Sequence, residues 1–237
     1  MNKKSNTALK TVLFAGIAAA AVSSTQAQIA TSPYVQGDAF AAFTSNTGND
    51  LIINLGLESS LYNGQTWDLG SLLTGNVALA NSPTWSVLAA DSGNIYTTVP
   101  HAYPAPGATS DFFGAQGAVN SIGQYITTSS GVATPAASAT FSFSTENNAA
   151  NPQTYLLANE YGVVGGAFSG SSQIQDFYSA DNASDPATKL NPGQFTLTSA
   201  GLLTYGVVAA PEPASYTLAA FGGIMVLVLR RRFSRNA

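Results

Sequence analysis

Apolar and polar positions alternate in short runs through the middle of the chain. Runs rich in Val, Ile, Thr, Tyr and Phe are separated by Gly, Asn, Asp, Ser and Pro, which is the pattern of strands and turns. Phe195 and Leu197 alternate with Thr196 and Thr198, which predicts one packed face and one wet face. The predicted strands are Ala39–Phe43, Leu51–Leu57, Thr84–Ala89, Ile95–Val99, Thr140–Ser144, Tyr155–Ala158, Tyr161–Val164, Ile174–Tyr178, Phe195–Thr198 and Leu202–Val208.

About ten short strands without a helical period predict a mainly β fold, as an antiparallel β-sandwich or jelly-roll-like domain. Two stretches break the pattern: Asp68–Leu73 favours a helical turn and Gly114–Tyr125 a short helix. Proline, glycine and serine favour loops at Pro100–Gly107 and Ser129–Ala137. We expect this β-rich domain to cover residues 28–210, with a further helical segment at each end of the chain.

The N-terminal end has the three parts of a secretory signal peptide. Three lysines in the first ten positions precede the apolar run Thr11–Val22, which is too short to span about 30 Å of hydrocarbon at 1.5 Å per residue. Small residues follow at Thr25 and Ala27, the −3 and −1 positions of a signal peptidase site. We expect cleavage between Ala27 and Gln28. The alternative is a buried N-terminal helix of the domain.

The C-terminal end begins with the tripeptide Pro211-Glu212-Pro213, which is followed by the apolar run Tyr216–Leu229 and a basic end at 230–235. As a helix the run is about 21 Å long, short for a stable membrane span. Arginines are retained in the cytoplasm, which leaves the domain outside. Proline cannot continue the helix upstream, so the tripeptide stays extended near the membrane surface. The alternative is an ordinary C-terminal anchor.

Together these residues resemble the PEP-CTERM sorting signal of Gram-negative bacteria that make extracellular polysaccharide. The resemblance implies that an exosortase recognises the tail while the protein pauses at the inner membrane. It further implies removal of the tail and delivery to the outer surface or extracellular matrix. The residues that carry it are Pro211, Glu212, Pro213, Arg230, Arg231 and Arg232.

The stretch Asp38–Thr97 is loosely similar to other uncharacterised PEP-CTERM proteins. The similarity lies in three segments, NDLIINLG at Asn49–Gly56, WDLGSLLTG at Trp67–Gly75 and TWSVLAAD at Thr84–Asp91. It implies a shared fold and carries no activity with it.

Charge excludes one class of partner. Residues 28–210 contain one basic residue, Lys189, and eleven acids, a formal charge of −10. Nucleic-acid binding depends on basic residues that neutralise phosphates, so no nucleic-acid partner is expected. The chain has no cysteine, which excludes disulfides and thiolate chemistry.

Few residues suggest catalysis. His101 is the only histidine, so a site of several histidines is impossible, and no G-x-S-x-G motif marks a nucleophile. Glu58, Glu146 and Glu160 are candidates for the paired carboxylates of a polysaccharide hydrolase, and the alternative is that they are solvated surface acids. We therefore expect no enzymatic activity and no catalytic residue.

Two features suggest a ligand. Trp67, flanked by polar residues, is a candidate platform for stacking a sugar ring, whereas Trp85 lies in an apolar run and favours the core. Asp176, Asp181 and Asp185 are candidate calcium ligands, although their spacing matches no EF-hand. Calcium is the only cofactor that these residues suggest.

The predicted function is that of an exported surface or matrix protein, non-enzymatic, which interacts with exopolysaccharide. Its expected partners are signal peptidase, exosortase and, transiently, the inner membrane. The alternatives are a polysaccharide-acting hydrolase and a self-associating adhesin.

Overall fold

The computed structural model of the protein describes residues 26–45, 48–77, 81–101, 112–146, 166–181 and 188–206. Ten strands in these residues form one antiparallel sheet, in the order β3-β10-β9-β8-β5-β4-β1-β2-β6 with β7 beside β4. The strands are β1 Asp38–Thr44, β2 Leu51–Leu57, β3 Gln65–Asp68, β4 Thr84–Ala90, β5 Asn94–Pro100, β6 Val132–Ala133, β7 Gly166–Ala167, β8 Ser172–Asp181, β9 Thr188–Thr198 and β10 Leu202–Tyr205. The predicted mainly β, antiparallel fold is confirmed.

The described residues also contain three α-helices, α1 Gly70–Asn76, α2 Phe112–Gly123 and α3 Phe143–Glu146, and one 3₁₀ turn, Glu58–Ser60. The predicted helical turn and short helix correspond to α1 and α2. Helix α2 buries Phe112, Ala115, Val119 and Ile122, a spacing of three or four residues that places them on one face.

Apolar residues pack on both faces of the sheet. Every residue of β1 is buried, because Ala41 and Phe43 belong to a large cluster on one face and Phe40 and Ala42 to a second cluster on the other. The large cluster lies inside the curled sheet, and the second cluster lies between the sheet and α2. Burial on both faces explains why β1 reads as an apolar run without alternation.

The N-terminal strap, defined as Gln26–Ala30, contacts both β3, at one end of the sheet, and β2, next to the other end. Ala27 N donates to Thr66 O on β3 at 2.6 Å, and Ala30 N donates to Asn54 O on β2 at 3.1 Å. Ala27 and Ile29 are half-buried and pack against the large cluster. Strands near opposite ends of the sheet order are thereby linked through one short segment.

The strand predicted at Thr140–Ser144 is wrong. Ser142 instead precedes α3, and its Oγ accepts a hydrogen bond from Thr145 N at 3.1 Å. The carboxylate of Asp50 accepts from Ser144 N at 2.7 Å. These side-chain acceptors satisfy N–H groups that the first turn of a helix leaves unpaired, and they favour the helix over a strand. Phe141 has φ of 59°, outside the β region.

Three short strands, β3, β6 and β7, were not predicted, because segments of two to four residues carry too few positions for alternation to be recognised. The predicted strands Tyr155–Ala158 and Tyr161–Val164 lie outside the described residues. So do the predicted signal helix before Gln26 and the whole C-terminal tail, residues 211–237, with its proline and arginine residues. Within the part of the chain that is described, no helix is long and apolar enough to cross a membrane.

Candidate functional site

Four polar side chains from three neighbouring strands meet around Asp176. β8 carries Asp176, His101 directly follows β5, and β9 carries both Lys189 and Gln194. Gln194 is the register partner of Asp176, and the pairing then shifts so that residues 190–193 bulge out of β9. Gly193 has φ of 49°, a conformation that glycine adopts readily, and it allows this bulge. The bulge brings Lys189 and Gln194, five positions apart, to one carboxylate.

The carboxylate of Asp176 accepts three side-chain hydrogen bonds. Its Oδ1 lies 2.9 Å from His101 Nδ1, 2.7 Å from Lys189 Nζ and 3.0 Å from Gln194 Nε2. The side chain of Asp176 is 6% exposed, whereas that of His101 is 60% exposed and that of Lys189 is 39% exposed. A buried acceptor therefore holds two donors at the surface of the protein. We call these four residues the Asp176 cluster.

The charge of Asp176 is stabilised by its neighbours. Burial by itself would raise the pKa of Asp176, but the hydrogen bonds from Lys189, His101 and Gln194 and the charge of Lys189 hold that pKa below its usual value. The group is therefore a carboxylate at neutral pH, and it accepts hydrogen bonds without donating any.

Asp176 fixes the orientation of the imidazole. Because a carboxylate accepts, the hydrogen of the neutral ring is on Nδ1, and Nε2 is left as an acceptor. A carboxylate holds histidine in the same way in a catalytic triad, where Nε2 receives a proton from a hydroxyl. Among the described residues no hydroxyl is hydrogen-bonded to the His101 ring. Among the described residues no partner is bonded to His101 Nε2 or to the remaining N–H groups of Lys189, and these groups can meet polar groups of a ligand.

The Asp176 cluster contains the only histidine of the chain and the only basic residue of residues 28–210. The sequence analysis singled out His101, Asp176 and Lys189 but neither Gln194 nor the association of these residues, since 75 positions separate His101 from Asp176. One signal was present: a single lysine in a segment of formal charge −10 is expected to pair with one of its acids.

A second cluster lies at the turn between β4 and β5. Tyr96 OH donates to Asp91 Oδ2 at 3.0 Å and also hydrogen-bonds Glu58. Burial raises the pKa of Glu58, and the negative charge of Asp91 raises it further. Burial alone would raise the pKa of Asp91 as well, but bonds from Gly93 N and Asn94 N, each 2.7 Å long, help to hold it below its usual value. The pKa values of the two neighbouring acids are thus shifted in opposite directions, upward for Glu58 and downward for Asp91.

Trp67 is not a platform for sugar in this structure. Its side chain is 0% exposed and packs beside Phe195, with ring centroids 6.3 Å apart. β3 directs Trp67 into the large cluster, and its polar neighbours Thr66 and Asp68 alternate to the opposite face. Stacking requires an accessible ring face, which the buried indole does not offer. Trp85 is also fully buried, in agreement with the prediction.

The predicted calcium ligands do not converge within the described residues. Asp176 and Asp181 are both on β8, and at about 3.3 Å per residue a strand separates them by about 16 Å. Asp176 is already bound by three donors, and Asp185 lies outside the described residues. No group of three or more potential metal ligands occurs in the part of the chain that the structure describes.

The three glutamates proposed as paired carboxylates are not brought together by the described residues. Glu58 lies in the 3₁₀ turn beside Asp91, Glu146 is fully buried in α3, and Glu160 is outside the described residues. The interpretation of Glu146 as a solvated surface acid is therefore wrong.

The sequence matches no protein-family model, no curated protein and no solved structure. Any proposal about activity therefore depends on this chain's own residues.

Proposed function

We propose that the protein is an exported, non-enzymatic surface or matrix protein that contacts exopolysaccharide through the Asp176 cluster. The single observation that carries the proposal is the arrangement of His101 and Lys189 as exposed groups on one buried carboxylate. Hydroxyl and carboxylate oxygens of a polysaccharide are acceptors for Lys189, and His101 Nε2 accepts from a sugar hydroxyl. Lys189 is the only lysine or arginine in residues 28–210, which have a formal charge of −10. An acidic polymer is therefore expected to bind at the Asp176 cluster.

The two ends of the sequence support the export part of this proposal. We propose that the first 27 residues are removed, that an exosortase-type system sorts the protein by Pro211-Glu212-Pro213, and that the protein reaches the outer surface or matrix.

We further propose that the curled sheet folds over the large cluster as a sandwich does. The support is that Trp67 of β3 and Leu51 of β2, near opposite ends of the sheet order, belong to that one cluster.

The test is retention of the processed protein on the exopolymer of its host, with and without calcium. We expect His101→Ala to weaken retention by about tenfold, equivalent to about 1.4 kcal/mol. Thr188→Ala serves as the control, because Thr188 is an exposed residue of β9 next to Lys189. We expect this control to leave retention unchanged. Equal retention of wild type and His101→Ala, or no retention of either protein, would contradict the proposal.

A polysaccharide-acting hydrolase is the second candidate, and the pair of Glu58 and Asp91 favours it. A general acid with a raised pKa beside a carboxylate that stays ionised is the arrangement that glycoside hydrolysis uses. Glu58→Gln and Asp91→Asn, compared with Asp181→Asn at the exposed end of β8, test it by release of reducing ends from the exopolymer. Turnover that neither substitution reduces excludes this candidate.

A further inference from the structure

The N-terminal strap joins β3, at one end of the sheet, to β2, the strand next to the other end. Ala27 N pairs with Thr66 O on β3, and Ala30 N pairs with Asn54 O on β2. Gly131 permits the close passage of the strap, because a Cβ at this position would lie 1.7 Å from Ala30 O. Its φ of 66° also favours glycine. The strap therefore packs so closely against position 131 that only glycine leaves room for it.

The expected signal-peptidase site falls inside the strap. Cleavage between Ala27 and Gln28 removes the residue whose N–H pairs with Thr66 O, together with Gln26, which forms a parallel bridge to Thr66. The contact of Ala30 with β2 lies after the cut and is retained. Thr66 is only 6% exposed while the strap covers it, so cleavage uncovers this part of β3 and leaves the Thr66 carbonyl without the N–H group of Ala27.

We infer that removal of the first 27 residues opens the outer edge of β3, and that this edge pairs with the β3 edge of a second copy of the chain. The carbonyl of Thr66 points away from β10, since it accepts from the strap. Backbone groups alternate between the two edges along a strand, so those of Asp68 point outward too. An open edge of this kind is a template for a further strand.

The residues of β3 suit pairing with themselves. In an antiparallel, two-fold arrangement centred on Trp67, each Thr66 lies opposite an Asp68 of the other copy. The two acids are not opposed, so the pairing avoids the repulsion of like charges across strands. A strongly acidic domain, of formal charge −10, tolerates self-association best where few acids meet, and Asp68 is the only one on this strand.

This inference rests on the proposed export and cleavage, but not on polysaccharide binding, because the Asp176 cluster plays no part in it. Processed protein recovered from cells that express the full chain is examined by intact mass and by sedimentation velocity. The expected result is a first residue of Gln28 and a weight-average mass that doubles as concentration rises. Amide exchange at Thr66 and Asp68 slows over the same concentration range.

The control is the full chain carrying Thr25→Ala with Ala27→Leu. A small residue is required at −1, so these changes move the predicted cut to follow position 25 and retain the strap with its N–H group at position 27. This variant is expected to remain monomeric at every concentration.

Three results would overturn the inference. The first is wild-type protein that begins at Gln28 and stays monomeric. The second is a strap-retaining variant that associates as strongly as wild type. The third is a wild-type N-terminus that still includes Ala27. Retention on exopolymer is measured separately, so failure of self-association leaves the polysaccharide proposal to be judged on its own result.

Discussion

His101 donates through Nδ1 to the carboxylate of Asp176, 2.9 Å away, although the two residues are separated by 75 positions in the chain. The pairing depends on β5 and β8 being neighbours in the sheet, where Pro100 is the register partner of Gln175. A bulge in β9 then adds Lys189 to the same carboxylate. The site therefore depends on sheet register as much as on the identity of its residues.

Asp176→Asn should destabilise the protein by about 1–3 kcal/mol, the cost of weakening hydrogen bonds to a buried charged group. Because neighbours lower the pKa of Asp176, its contribution is fully present above the unfolded pKa of about 3.9 and is lost as pH falls through the folded value. Urea unfolding at pH 7 and pH 2 measures both effects, and the difference between variant and wild type should be smaller at pH 2 than at pH 7. Asp181→Asn is the control, and an equal effect of both substitutions at pH 7 would contradict the prediction.

Glu58→Gln should stabilise the protein slightly at pH 7, by about 0.5 kcal/mol or less, since solvent screens a half-buried group. A raised pKa means that the folded state binds the proton more tightly than the unfolded state does. Stability is therefore lost as pH rises above the unfolded pKa of about 4.3. Thermal unfolding at pH 3 and pH 7 tests this: the gain should be seen only at pH 7. A variant that is less stable than wild type at pH 7 would show that the charge of Glu58 is favourable.

Trp67→Ala should cost about 3–5 kcal/mol, because it removes a fully buried indole from the large cluster. Phe113→Ala removes a ring that is 68% exposed and should change stability by about 0.5 kcal/mol or less. Denaturant midpoints of the two variants test the comparison. Trp67→Phe should keep the retention on exopolymer, and a selective loss of retention without a loss of stability would restore Trp67 as a sugar platform.

Gly131→Ala should destabilise the protein by about 1–3 kcal/mol, because the new Cβ meets Ala30 O at 1.7 Å on a backbone with φ of 66°. Gly75→Ala is the matched control: it lies within α1 with no atom near its added Cβ, and it should stabilise by about 0.5–1 kcal/mol. Urea unfolding gives both values, and exchange at Ala30 should accelerate only in Gly131→Ala. A neutral Gly131→Ala would mean that the strap is not tightly fitted.

We expect export and sorting to shorten the protein at both ends in its host. Intact mass of surface or medium fractions should show loss of residues 1–27 and a truncation near Pro211. Replacing Arg230, Arg231 and Arg232 with serine should keep the unprocessed tail in the recovered protein, because the basic end no longer fixes its topology. A full-length C-terminus found only in the inner membrane would identify an ordinary anchor.

The strand segments with the clearest local pattern could be predicted from sequence alone. Leu51–Leu57 was predicted with the bounds that the structure gives, and Phe195 and Leu197 face the core as their alternation indicated. Local spacing suffices there, because the side-chain period of a strand follows from backbone geometry. Thr140–Ser144 failed for a physical reason: its alternation was real, but Asp50 supplies a distant acceptor that favours α3.

By itself the sequence determined the fold class, the segregation of basic residues to the two ends and the exclusion of cysteine chemistry, since these follow from local pattern and composition. Only the tertiary structure decided which residues meet. Trp67 was buried because β3 pairs with β10 and turns its indole inward, and His101 reached Asp176 because β5 lies beside β8. Strand order and register bring together residues that are far apart in the chain, and the local sequence pattern does not predict such long-range pairing.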